Sequence, residues 1–145
     1  MSLKPDCIII RNYRAEDFTH IEKLWKETGI YILERGDTPE VIERCNDLGG
    51  EFLVMEEPST GHIVGTSWMS YDGRRIHLHH FAILPSHQGK GLGRKLAVES
   101  LKHARKRSCP VKLEVHDENR IASHLYRSLG FVAFEDYHVY MILEP

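Results

Sequence analysis

The chain has 145 residues, a formal net charge of −2, and is 41% hydrophobic and 28% charged. That is the size and make-up of a single globular domain that buries a core without covalent staples, and the small net charge removes any bulk electrostatic case for nucleic acid or an anionic membrane as partner. The cysteines, Cys7, Cys45 and Cys109, are odd in number and form no C-x-x-C pair, which argues against a disulfide framework or cysteine zinc site and suits a reducing cytoplasm. No apolar run approaches the ~20 residues of a membrane span. Met1 to Asp6 lacks the pattern of a signal peptide and reads as a flexible or appended N-terminus. One domain over residues 1–145 is expected, with oligomeric state, monomer or homodimer, left open.

Cys7 to Arg11 reads as a first strand. Phe18, Ile21, Leu24, Trp25 and Thr28 recur at helical spacing and predict a helix from Ala15 to Thr28, stopped by Gly29. Thr38 as cap with Pro39 at the first position opens a second helix, ended by Gly49-Gly50. The period then changes. Phe52 to Met55, Ile63 to Tyr71 and Arg75 to Leu84 form a meander, with turn chemistry at Glu57 to Gly61 and a hairpin signal at Asp72-Gly73. Leu92, Leu96, Ala97, Leu101 and Ala104 mark a long helix that stops at Ser108-Cys109-Pro110. Val111 to Val115 is a strand. Ala122, Leu125, Tyr126 and Leu129 share one face of a last helix capped by Gly130. Phe131 to Phe134 and His138 to Leu143 are expected to close the sheet as a strand pair. The order predicts an α+β fold with a mostly antiparallel sheet and one clear crossover.

Between the third meander strand and the long helix lies Gln88-Gly89-Lys90-Gly91-Leu92-Gly93. Backbone N–H groups at a helix start lack internal partners, the helix dipole adds positive charge, and glycines permit close approach and positive φ. Such a loop can cradle a phosphate or pyrophosphate, with Lys90, Arg94 and Lys95 adding charge. The P-loop pattern is absent. A dinucleotide fingerprint is incomplete, because Leu96 stands where its third glycine belongs. A plain Gly-rich connection is the bland alternative.

The loop resembles the Q/R-x-x-G-x-G/A motif of the GCN5-related N-acetyltransferases (GNAT). Phe81-Ala82-Ile83-Leu84-Pro85 and Asn119-x-x-Ala122-x-x-Leu125-Tyr126-x-x-x-Gly130-Phe131 are similar to that family in order and spacing. The resemblance implies the acyl-CoA N-acyltransferase fold, a twisted sheet of about six or seven strands with about four helices. It implies acetyl-CoA as donor, with no metal, and a primary amine as acceptor, either a small molecule or a protein amine. It places the pantetheine arm along the backbone of Phe81, Ala82 and Ile83 as an added strand, the pyrophosphate over Gln88 to Gly93 with Arg94 nearby, and the cofactor also against Asn119. A bulge beside that strand is expected to splay the sheet. A non-catalytic acyl-CoA sensor on the same fold is the principal rival, since fold alone does not secure activity. A nucleotide-binding oxidoreductase is the second.

The implied chemistry is direct attack of an amine on a thioester. Tyr126 is the candidate to assist the departing thiolate. With pKa ~10 against ~8.5 for a thiol, full proton transfer is uphill by ~2 kcal/mol, so a hydrogen bond to sulfur is enough. An alkyl ammonium of pKa ~10.4 must lose a proton, costing ~4.6 kcal/mol at pH 7. His77 and His79 are the candidate bases, directly or through water. Strand alternation predicts His77, His79, Phe81 and Ile83 on one face, with Leu78, His80 and Ala82 on the other. Two same-face histidines are too few for zinc. The basic helix residues Arg94, Lys95, Lys102, Arg105, Lys106 and Arg107 read as a solvated face, and the acidic Glu34, Asp37, Glu40 and Glu43 likewise.

Overall fold

The computed structural model describes residues 7–30 and 36–145. The readings of Met1 to Asp6 and of Glu34 lie outside the described residues. Two compact units are distinguished, one ending at Leu113 and one beginning at Glu114.

The first unit holds a five-stranded sheet in the order β1-β2-β3-β4-β5. Its strands are β1 (Ile9–Asn12), β2 (Glu51–Glu57), β3 (His62–Tyr71), β4 (Ile76–Ile83) and β5 (Val111–Leu113). The first four pair antiparallel and β5 joins β4 in parallel, so the sheet is mixed and mostly antiparallel as predicted. Helices α1 (Phe18–Thr28) and α2 (Pro39–Asp47) cover one face, and α3 (Leu92–Arg107) supplies the crossover on the other.

Local chemistry explains the element ends. Gly29 (φ 77) closes α1 while the Ile30 amide reaches back to the Trp25 carbonyl. The Thr38 hydroxyl caps α2 by accepting from the Val41 amide, with Pro39 at the first turn, as the sequence predicts. Asp72 accepts from the Arg74 and Arg75 amides at 2.7 Å and so builds the β3–β4 turn.

The sheet divides two cores. Ile21, Leu24 and Trp25 of α1 and Ile42 of α2 pack on Phe52, Val54, Ile63, Trp68 and Ala82. On the opposite face Leu96 and Ala104 of α3 pack with Met55, Met69, Ile76, Leu78 and Ile83. Most of these side chains are fully buried, each worth ~1.5–3 kcal/mol against exposure.

The second unit contains α4 (Arg120–Ser128). Asn119 caps it by accepting from the Ala122 amide at 3.1 Å. Gly130 (φ 101) ends it, with the Gly130 amide bonded to the Arg127 carbonyl and the Phe131 amide to the Tyr126 carbonyl. This paired arrangement is the usual glycine-dependent helix stop.

The expected closing strands Phe131 to Phe134 and His138 to Leu143 do not form, so among the described residues the sheet has five strands rather than six or seven. Val132, Phe134, Val139, Met141 and Ile142 are each more than half exposed. An apolar run specifies a strand only where one face is buried, and an isolated pair of strands is marginal in water.

Candidate active site

The loop expected to hold pyrophosphate is built as an anion cradle. A single 3-10 turn, Pro85–His87, follows β4 and leads into it. Gly89 (φ 79) and Gly91 (φ 78) lie in the left-handed region. A Cβ at either would meet nothing within 4 Å, so backbone conformation and not space selects glycine there. Gly91 is the N-cap of α3 and provides no side-chain cap, which leaves the Leu92 and Gly93 amides at the helix start for an anion. Lys90, Arg94 and Lys95 are exposed beside it.

Gln88 acts as a tie: its side-chain amide donates to the Ile83 carbonyl at 2.9 Å and fastens the loop to the end of β4. His87 Nε2 sits 2.9 Å from Glu57 Oε2, and Ser86 Oγ 2.8 Å from His87 Nδ1. That hydrogen bond, helped by the Thr60 hydroxyl, holds the Glu57 carboxyl below its ordinary pKa and anchors the lead-in to the end of β2.

β4 itself is interrupted. Thr66 pairs with Ala82 but Trp68 pairs with His79, so β4 carries one residue more than β3 over this stretch. The extra residue accompanies a left-handed conformation at His80 (φ 46), an unusual geometry for a non-glycine residue in a strand. Pairing of β4 with β5 ends at Leu78↔Leu113. The bulge expected beside the strand that precedes the loop is therefore present, at His80 within β4.

The bulge corrects the predicted faces. Phe81 and Ile83 do not share a face with His77 and His79. They belong to the α3 side, whereas Ala82 lies with Trp25 and Trp68 on the α1 side. One inserted residue reverses the parity of everything after it. His79 and His80, adjacent in sequence, therefore both stack near Trp68, at ring-centroid distances of 4.6 Å and 5.1 Å. His77 lies 5.3 Å from His79.

Two partners were missed by sequence reasoning. Asp37, expected to be solvated, is 2% exposed and lies 2.8 Å from His80 Nε2. His80, assigned to the other face, bonds through Nδ1 to His79 Nδ1 at 3.0 Å. The consecutive histidines inside a strand were the available signal, because a period of two cannot place both on one face without a bulge. Burial, reinforced by His80 and His77, pushes the His79 pKa down to about 3. His79 is therefore neutral at physiological pH.

At the start of β4, a cleft of about 310 Å³ is lined in part by Asp72, Arg74, Arg75, His77 and Lys112. It too was missed, although Arg74-Arg75 after the hairpin turn marks it. Burial pushes the Cys45 thiol up, which keeps it protonated and unsuited to nucleophilic work. Among the described residues no group of three His, Cys, Asp or Glu side chains is placed to hold a metal ion, and no helix is long and apolar enough to cross a membrane.

In the second unit Tyr126 is 7% exposed and meets Phe131 edge to face at 5.6 Å. Burial raises its pKa to about 12.

Comparison with known proteins fits this geometry. The chain is 40% identical over 133 residues to an L-amino acid N-acyltransferase of Escherichia coli, covering 89% of this chain and 76% of that one. It is 32% identical over 135 residues to an L-methionine sulfoximine/L-methionine sulfone acetyltransferase of Salmonella typhimurium, covering 88% and 75%. A Salmonella typhimurium structure solved with its cofactor acetyl-CoA is similar in fold, with TM-score 0.71, 25% identity and coverage of 88% and 80%. The Acetyltransferase (GNAT) family pattern matches residues 11–131. The chain belongs to the GNAT family and is an acetyl-CoA-dependent N-acetyltransferase.

Proposed function

We propose that the enzyme acetylates the primary amine of a small L-amino acid by direct attack within a ternary complex. The observation that carries this reading is the bulge at His80 in β4, the strand that leads straight into the glycine loop. Phe81, Ala82 and Ile83 offer backbone groups to the pantetheine amides as an added strand. Gln88, Gly89, Lys90, Gly91, Leu92 and Gly93 take the pyrophosphate, with Arg94 contributing charge. Asn119 uses Oδ1 to cap α4 and turns its Nδ2 donors to the cofactor. Binding donor and acceptor together converts a bimolecular attack into a local one.

A neutral base on β4, His79 or His77, or a water held by one of them, takes the ammonium proton. Tyr126 donates a hydrogen bond to the departing thiolate. Its raised pKa, about 12, supports this role over outright proton transfer, which is uphill by about 5 kcal/mol against a thiol of ~8.5. The single-domain reading of residues 1–145 is supported by the family match running from 11 to 131. Operation in the cytoplasm, as monomer or homodimer, completes the proposal.

For the acceptor, the two relatives described above are named for amino-acid substrates. The cationic cleft beside His77 suits a carboxylate on the acceptor. A protein N-terminus is the second reading: an N-alpha-acetyltransferase of Mycobacterium tuberculosis is 40% identical over 114 residues. An acetyl-transfer screen separates them. Turnover of L-methionine sulfone or another L-amino acid supports the first, and turnover restricted to peptides with a free N-terminus replaces it with the second.

A further inference from the structure

His79 and His80 are neighbours in sequence that share one face of a sheet, and the geometry orders their protons. Asp37 Oδ1 lies 2.8 Å from His80 Nε2. An ionised carboxylate only accepts, so His80 Nε2 carries a proton. In a neutral imidazole the other nitrogen is then an acceptor. The 3.0 Å contact between His80 Nδ1 and His79 Nδ1 is therefore a hydrogen bond only when His79 donates from Nδ1. His79 Nε2 is left with a lone pair. One buried carboxylate thus sets the tautomer of a ring two steps away.

We propose that Asp37, His80 and His79 form a proton relay for the acceptor amine, in which His79 takes the proton and His80 and Asp37 are positioning residues. The proposal rests on the reading that a β4 histidine serves as base, and it selects His79 over His77. As the amine N–H bond breaks, that proton bonds to His79 Nε2. The His79 Nδ1–H bond breaks in turn and its proton bonds to His80 Nδ1. His79 ends neutral with its tautomer exchanged, and the positive charge rests on His80 against Asp37. Reversal to solvent after product release restores the start.

The final location of the charge matters. Burial, His80 and His77 push the His79 pKa down to about 3, so an imidazolium there is costly, and the relay never keeps one. Trp25 lies 4.5 Å from the His80 ring, and Trp25 and Trp68 stack in parallel at 5.9 Å, which excludes water from one side. Asp37 from the loop before α2 and His77 on β4 are titratable groups beside the pair. α1 and β3 present Trp25, Thr66 and Trp68, which do not titrate.

The test measures kcat against pH by CoA release, with acetyl-CoA and L-methionine sulfone, for wild type, Asp37→Asn and His80→Gln. Nitrogen NMR of the histidine rings accompanies it. Asp37→Asn is expected to lower the plateau kcat about 10- to 100-fold. It should also move the acid limb to lower pH, because His80 without its carboxylate is harder to protonate. His80→Gln should lose that limb. NMR should show His79 protonated at Nδ1 and the first proton added on acidification going to His80. A wild-type plateau and acid limb in Asp37→Asn overturn the relay and leave the transferase reading standing. If Asp37→Asn does not fold, His80→Gln carries the same comparison. If the wild type does not acetylate L-methionine sulfone, that acceptor fails and the ring NMR decides the relay alone. His79 protonated at Nε2, or taking the first acid proton itself, then overturns it.

Discussion

Thr66 Oγ1 donates a 2.7 Å hydrogen bond to the carbonyl of His80 and so holds the bulge from the neighbouring strand. The same oxygen accepts from the Trp25 indole N–H at 2.9 Å. Thr66 and Trp25 are both fully buried, so the indole N–H cannot turn to water if the hydroxyl is removed. Thr66→Val keeps the shape and strands one donor and one acceptor. Urea unfolding should show a loss of about 2–3 kcal/mol. Thr66→Ser, which keeps the hydroxyl, should retain most of that stability. Equal unfolding midpoints for wild type and the valine variant would show that the bond does not hold the bulge.

The bulge is also where the sequence stopped being legible. Element order, the caps at Thr38 and Asn119, the Gly29 and Gly130 stops and the glycine loop follow from local chemistry, and the structure has them. The splay was expected from the family resemblance. Which residue breaks the ladder depends on His80 adopting φ 46, and this is settled by Thr66 and Trp25, distant in sequence. The same non-local cause hid Asp37, whose burial against His80 no window of sequence reports. The C-terminal run from Phe131 failed for the opposite reason. Its apolar spacing is strand-like, but the face it needs to cover is not supplied within its unit.

A second ion pair sets acid stability. Arg11 makes a bidentate contact to Asp17 at 2.8 Å for each bond and reaches Glu56 at 3.0 Å. Burial alone would raise the Asp17 pKa, but the Arg11 hydrogen bonds and the Arg14 amide outweigh it and hold it below the ordinary value of 3.8. A depressed carboxyl pKa means the unfolded chain binds the proton more readily. This stability is therefore complete above pH ~4 and drains away as pH falls through the folded pKa. Asp17→Asn should cost about 2–3 kcal/mol near neutral pH and flatten the acid side of the stability curve. Thermal or urea melts across acid pH provide the check. A variant as acid-sensitive as wild type would remove Asp17 from the account.

Gly91 tests the anion cradle. Its φ of 78 disfavours any side chain, though nothing lies within 4 Å of an added Cβ. Gly91→Ala should cost about 1–2 kcal/mol of backbone strain if the loop keeps its shape. If the loop relaxes instead, the α3 amides turn away and KM for acetyl-CoA rises with little change in kcat. Calorimetric titration with CoA and with dephospho-CoA on both proteins distinguishes the outcomes. Unchanged affinity with unchanged stability would count against the cradle.

Tyr126 separates hydrogen bonding from proton transfer. It is buried, its pKa is raised to about 12, and its ring rests on Phe131. Tyr126→Phe keeps that edge-to-face packing and removes only the hydroxyl. A hydrogen bond to a developing thiolate contributes about 1.5–3 kcal/mol, so kcat should fall roughly 10- to 100-fold with acetyl-CoA affinity nearly unchanged. The pH dependence is the sharper discriminator. A phenol of pKa near 12 stays protonated throughout the working range, so its loss should lower the whole profile without altering its basic limb. A basic limb present in wild type and absent in the phenylalanine variant would mean that Tyr126 ionises during turnover, and the thiolate would then receive a full proton from it.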